Sequence, residues 1–225
     1  MHRLGERIRT ARQNAGLTLR QLGAATGVSA SLLSQIENDR ARPSVTTLYN
    51  LVGTLGLSLD EVLDKPSEDT ATVLSSTSGI DMDAGLARLE AAGGPVDQQL
   101  KHPGGRAVLE FDSGVIWEQL TNSLTPFVDH LLVTYPPKSS SSQSGKLYSH
   151  FGFEHIYMIS GRLELQLEFD TCTLKAGDSI AFECGRPHIF RNNSETEPAV
   201  GVWFIIGRHS PTVLRQITNE INGVG

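Results

Sequence analysis

The feature that most constrains this chain is a change of hydrophobic period near residue 65. Before it, apolar residues recur at steps of three and four: Leu4, Ile8, Ala11 and Ala15 in one segment, Val45, Leu48, Val52 and Leu55 in another. Such spacing lines one face of an amphipathic helix. After residue 95 the apolar residues come in short β-rich runs separated by turn formers, at 107–111, 115–120, 128–135, 155–159, 162–169, 179–182 and 199–206. Many short strands without helices between them predict an antiparallel barrel or sandwich. The chain therefore reads as a helical head followed by an all-β body, and its 225 residues suffice for both.

Local signals divide the head further. Thr18 and Gln21 have the spacing of a capping box, in which each satisfies an orphan amide at a helix start. Pro43-Ser44 stops one helix and caps the next, and Ser58 caps a last short one, giving five helices over residues 1–65. Residues 65–80, KPSEDTATVLSSTSGI, are polar and Ser/Thr-rich and read as a linker, with a short helix at 83–92 ended by Gly93-Gly94-Pro95. The whole connecting region is 66–95, and the β-domain occupies 96–210. Residues 138–146, KSSSSQSGK, have the composition of a mobile loop. In the tail, 211–225, Val213, Leu214, Ile217 and Ile221 share a helical face, which suits a docking helix or a frayed end.

Charge separates the same two parts. The chain carries a net charge of −6, yet its first 42 residues hold seven arginines against Glu6, Glu37 and Asp39. A basic head on an acidic body points the head toward a polyanion. No window approaches 18 consecutive apolar residues, which excludes a membrane-spanning helix, and MHRLGERIRT lacks the apolar core of a secretory signal. The expected location is the cytoplasm. Two cysteines, Cys172 and Cys184, are too few for a disulfide framework or a four-cysteine zinc site and read as strand thiols.

Residues 19–38, LRQLGAATGVSASLLSQIEN, describe a helix-turn-helix. Gly23 is small where two helices cross, Gly27 supplies a left-handed turn, and Val28, Leu33 and Ile36 pin the second helix to the first. That second helix, 29–38, would enter a major groove with Ser29, Ala30, Ser31, Ser34 and Gln35 outward. Short side chains allow close approach to base edges, and Gln35 can bond an adenine through two atoms. Arg40 and Arg42 follow where phosphates would pass, and Arg20 lies near the opposite strand. Over residues 4–63 the head resembles the XRE family of phage-repressor-like DNA-binding domains, and SxxLLSQIENDRARPS is among that family's more specific signatures. Asp39 stands where that family usually has glycine, a position a helix-ending Asp can fill.

In the β-body, alternation puts Tyr148 and His150 on one strand face, with Glu154 four residues on and His188 on a distant strand. Two imidazoles and a carboxylate with open positions form the facial set that suits iron(II) and similar divalent metals. His155, next to Glu154, points to the opposite face, and Tyr157, Phe169, Phe182 and Phe190 read as packing residues. Residues 105–208 resemble the cupin fold through its paired motifs: His150, Glu154 and Gly161 match the first, and Gly177, Gly185, His188 and Asn192 match the second. Ser142, Tyr148 and Glu183 replace an opening glycine, the first ligand histidine and a proline. The resemblance implies a double-stranded β-helix, or jelly-roll, barrel. It also implies a site at Tyr148, His150, Glu154 and His188 for an organic effector or a divalent metal such as iron, zinc, nickel or manganese.

The order head, linker, barrel resembles the XRE–cupin transcriptional regulators over nearly the whole chain. The resemblance implies a non-enzymatic, effector-sensing homodimer on a two-fold symmetric double-stranded DNA operator. The alternative is a mononuclear iron enzyme similar to hydroxypropylphosphonate epoxidase, which also carries a helix-turn-helix-like head. A third reading leaves the barrel only the task of dimerisation. The small outward residues of 29–38, with Arg40 and Arg42 beside them, favour the regulator, because an enzyme has no need of them.

Overall fold

Helix starts in the head are set by local hydrogen bonds that the sequence encodes. The structure is a computed structural model and describes residues 4–57, 62–63, 100–121 and 128–207. The head's described residues form four named α-helices: α1 (Leu4–Asn14), α2 (Leu19–Thr26), α3 (Ala30–Glu37) and α4 (Val45–Leu55). Thr18 caps α2 in a complete capping box with Gln21, while Ser29 and Ser44 cap α3 and α4. Gly27 takes the left-handed conformation (φ 71°) that turns the chain from α2 into α3. A Cβ on Gly23 would sit 2.6 Å from the Val28 carbonyl oxygen, so only glycine admits that crossing. Leu22, Leu33, Ile36, Leu48, Leu51 and Val52 close the head core.

Two of the head's arginines are structural. Arg12 grips the buried Glu37 carboxylate through Nε at 2.6 Å and Nη2 at 2.9 Å, and Arg9 bonds the Glu37 carbonyl and Asn38. Together they tie α1 to the end of α3. Asp39 holds a left-handed φ of 53° and accepts a bond from the Gly5 amide, so the residue at the expected glycine position both turns the chain and tethers α1. The five expected helices are thus four among the described residues. The segment from Ser58 lies mostly outside them, with only the buried Val62 and Leu63 described. The linker at 65–80, the helix at 83–92 and the tail from 211 lie outside the described residues.

The β-body is two facing sheets. Strands β1 (Val108–Glu110), β2 (Ile116–Gln119), β3 (Val128–Tyr135), β4 (Phe153–Ser160), β7 (Ser179–Glu183) and β9 (Ala199–Ile206) form one, in the order β1-β2-β3-β9-β4-β7. Strands β5 (Arg162–Leu167), β6 (Asp170–Lys175) and β8 (His188–Arg191) form the other, in the order β6-β5-β8. The described strand pairs are antiparallel. Isolated bridges at Ser140–Arg191 and Tyr148–His188 run beside the smaller sheet. The expected closed barrel is therefore a two-sheet sandwich among the described residues, with no continuous ladder joining the sheets. Alternation buries Leu131, Val133, Met158, Trp203 and Ile205 from the larger sheet against Leu163, Leu165 and Phe190 from the smaller.

Three expectations are corrected here. The first half of 138–146 is not a free loop: Ser139, Ser141 and Ser142 are buried, the Ser141 amide donates to the Phe190 carbonyl and the Ser141 hydroxyl accepts from the Phe190 amide, while 143–146 stay exposed. Phe169 does not pack; it stands fully exposed at the tip of the β5–β6 hairpin. Tyr157 lies on the outer face of β4, where Phe153, Ile159 and Phe204 are exposed beside it.

Candidate effector site and nucleic-acid face

The strands place the site between the sheets. Glu154 comes from the start of β4, and the backbone pairing of Tyr148 with His188 brings the His150 segment against β8. His150 Nε2 lies 3.1 Å from Glu154 Oε1, and His188 Nε2 lies 3.9 Å from the same oxygen. One ligand atom from each of the three residues falls within 4.8 Å of the others. Glu154 and His188 are buried, and the His150 side chain is only 8% exposed.

Hydrogen bonds fix how these groups present themselves. His188 Nδ1 donates to the Arg186 carbonyl at 2.8 Å and His150 Nδ1 donates to the Phe151 carbonyl at 2.9 Å. Both rings then turn Nε2 toward the Glu154 carboxylate. Burial lowers the His188 pKa from its ordinary value, and the opposing pull of Glu154 is the smaller effect, so His188 stands as neutral imidazole. His188 Nε2 is buried without a hydrogen-bond partner among the described residues. Two ring nitrogens and a carboxylate oxygen thus converge on one buried point. The set fits a divalent metal through His150, Glu154 and His188.

Tyr148 does not join as an anion. Burial, then the charges of Tyr135, Glu154 and Tyr49, push its phenol well above the ordinary value. It stays a neutral hydroxyl whose ring lies 4.5 Å from that of His188 and closes the pocket on that side. Phe182 closes another side, its ring edge-on to His188 at 5.1 Å. His155 is exposed on the outer face, as expected from its place beside Glu154.

The wall that sequence reasoning missed is Tyr49. It belongs to α4 of the head, and its ring stacks on His150 with centroids 4.1 Å apart. Nothing in a one-dimensional pattern links position 49 to position 150.

On α3, Ser31 and Gln35 are exposed, while Ala30 and Ser34 are half-buried. Ser29 spends its hydroxyl on capping, accepting from the Leu32 amide at 3.1 Å. Arg20 and Arg40 are exposed and make no ion pair among the described residues. Arg42 turns the other way, toward the β-body, and pairs with Glu110 at 2.5 Å. Both partners are about half exposed, so this is a weak surface contact worth up to ~1 kcal/mol.

Comparison with known proteins matches both halves. Residues 8–62 match a helix-turn-helix family model, and residues 131–205 match a cupin domain model. The chain joins a helix-turn-helix domain to a cupin domain. The cupin match falls on the strands that carry Glu154 and His188. Across both domains the chain is 28% identical over 209 residues to the HTH-type transcriptional regulator PuuR of Escherichia coli, covering 92% of this chain and 95% of that one. It is 26% identical over 192 residues to the regulator SutR of the same organism, covering 85% and 88%. In structure it resembles an HTH_3 family transcriptional regulator from Vibrio cholerae, with a TM-score of 0.58, 17% identity, and coverage of 91% and 95%. That last likeness is one of fold.

Proposed function

We propose that this protein is a sequence-specific DNA-binding transcriptional regulator whose cupin domain senses a small-molecule effector. The observation that carries the reading is α3 itself: an exposed helix of small polar residues, with Ser31 and Gln35 outward and the uncommitted Arg20 and Arg40 beside it. Its full-length likeness to two named transcriptional regulators supports the same reading. Gln35 and Ser31 read bases, Ala30 and Ser34 allow close approach, and Ser29 holds the helix end in shape. Arg20 and Arg40 hold phosphates; Arg42 reaches one only by leaving Glu110.

His150, Glu154 and His188, with Tyr148 beside them, hold the effector directly or through a divalent metal. Iron, zinc, nickel and manganese all take this ligand set. An iron enzyme of the epoxidase type would use the same cluster, but it would leave the exposed face of α3 without a task. The working form is a homodimer, because one head reads only a few base pairs and paired half-sites about one helical turn (~34 Å) apart supply the rest. The outer cupin face, with Phe153, Tyr157, Ile159 and Phe204 exposed, offers apolar area for that second copy.

The test is selection of bound fragments from a genomic library, followed by anisotropy titration on the selected site and on random DNA. A regulator prefers its site by ~10³-fold or more. Equal affinity for both DNAs refutes the reading, and a strict monomer by light scattering, with and without DNA, refutes the dimer.

A further inference from the structure

Helix α4 reaches from the DNA-binding head into the mouth of the cupin site. The Tyr49 ring lies nearly parallel to His150, 10° between planes, stacks near Tyr148 at 5.9 Å, and meets Trp117 edge-on at 5.5 Å. Only 7% of the residue is exposed. Contacts on either side seat the same stretch of the head: the Asp112 amide donates to the Pro43 carbonyl at 3.1 Å, and Thr46 Oγ1 donates to the Ser141 carbonyl at 3.5 Å. A cleft of about 530 Å³ opens beside this plug, bordered by Thr46 and Asn50 of α4 and by Ser144, Lys146 and Tyr148 of the cupin domain.

Tyr49 is anchored where it stands. Its neighbours on α4, Leu48, Leu51 and Val52, are fully buried in the head core. Withdrawing the ring from the site therefore moves α4, and with α4 the packed helices α1, α2 and α3. The cluster behind it is closed: Glu154 and His188 are buried, and His150 is covered on one ring face by Tyr49.

We propose that Tyr49 is a wall of the cupin site supplied by the DNA-binding head, so that loading of the His150–Glu154–His188 cluster and docking of the head on the cupin domain are coupled. The proposal rests on the cluster being the sensor site of the preceding section. A ligand that fills the coordination space over His150 competes with the Tyr49 ring, and the competition is felt by every helix of the head. Linkage makes the effect reciprocal: DNA that favours one head placement changes affinity at the cluster by the same factor.

Co(II) is a suitable ion for the test, because its visible absorption reports coordination by nitrogen and oxygen ligands. The full chain is mixed with Co(II) in stopped flow, as wild type, Tyr49→Phe and Tyr49→Ala. Loss of the stacked ring is expected to speed Co(II) uptake by about 2- to 10-fold, the range of one aromatic stack, while Tyr49→Phe stays within about twofold of wild type. In equilibrium titrations, the selected DNA site should shift wild-type Co(II) affinity by about 5- to 150-fold and leave that of Tyr49→Ala unmoved. Should Tyr49→Ala lose its helical circular dichroism, Tyr49→Leu replaces it, keeping apolar bulk while removing the stack. Equal uptake rates in wild type and the folded variant overturn the proposal, as does a DNA-dependent shift that survives in the variant, or a wild-type chain that takes up no Co(II). Failure of the regulator reading looks different: specific and random DNA bind alike, while the uptake rates still report on Tyr49.

Discussion

Replacing Arg12 by Met removes the cation that holds the buried end of α3. Glu37 is 3% exposed at its side chain and Arg12 13%, and two short charge-assisted bonds join them, at 2.6 and 2.9 Å. Glu37 in turn holds the Arg12 guanidinium above its ordinary pKa, chiefly through that hydrogen bond. The cost of the change is not the worth of the pair but the penalty of leaving the carboxylate buried and uncompensated, typically ~3–5 kcal/mol. Arg9 moderates it, with Nε 3.6 Å from the second Glu37 oxygen, but Arg9 is 40% exposed and screened by water. The lower end, about 3 kcal/mol, is expected. A head of this size has a total stability of roughly 3–9 kcal/mol, so the loss is a large part of it.

The assay is thermal unfolding of the full chain followed by circular dichroism at 222 nm, where the helical head dominates. At ~4–8 °C per kcal/mol for a small domain, the head transition should fall by about 12–24 °C. DNA binding should weaken at 37 °C and recover on cooling, because the reading surface of α3 is untouched. The double variant Arg12→Met, Glu37→Leu removes both charges and should regain most of the lost stability. A fall of less than about 4 °C in the single variant would refute the reasoning, since the pair would then be worth no more than an exposed one.

Three further outcomes follow from the placement of the site residues. Gln35→Ala should cost about 1–3 kcal/mol on the selected DNA site and little on random DNA, measured by anisotropy; equal losses on both would remove α3 from the groove. Arg40→Ala should weaken both DNAs alike and reduce the salt slope by about one unit, whereas Arg42→Ala should change it less because Arg42 starts from a pairing with Glu110. The double variant His150→Ala, His188→Ala should retain DNA binding and lose stoichiometric Co(II) uptake, scored by absorption titration; retained uptake would place the metal elsewhere.

What the sequence made legible was what is decided locally. The caps at Thr18 and Ser44 and the left-handed Gly27 involve partners within a few residues, so a short window contains the whole argument. Strands β3 and β9 were bounded correctly because alternation along eight residues survives in their burial. Strand β6 went unread for the converse reason: of DTCTLK only Leu174 is buried, so the strand carries no apolar period and is held by pairing with β5. The serines of 138–146 misled because composition says nothing about a distant backbone. Their partners, Phe190 and Asn192, lie some fifty residues away.

The same distinction explains the site. His150, Glu154 and His188 could be named in advance because they match the paired motifs of the cupin resemblance, and the sandwich brings them within 4.8 Å. Tyr49 could not, because its side chain serves two structures at once: its helix is periodic for the head core, while its ring completes a pocket in another domain. Helical periodicity predicts residues that bury into their own domain, and Tyr49 sits one position past Leu48 on that face. An aromatic there satisfies the local pattern and so raises no flag. Its phenol nonetheless replaces solvent over an imidazole that faces a buried carboxylate, a position where water or a ligand would otherwise stand. A residue with a sufficient local explanation and an unexplained contact across domains is where coupling between a reader and a sensor is expected, because such a residue cannot move for one without moving for the other.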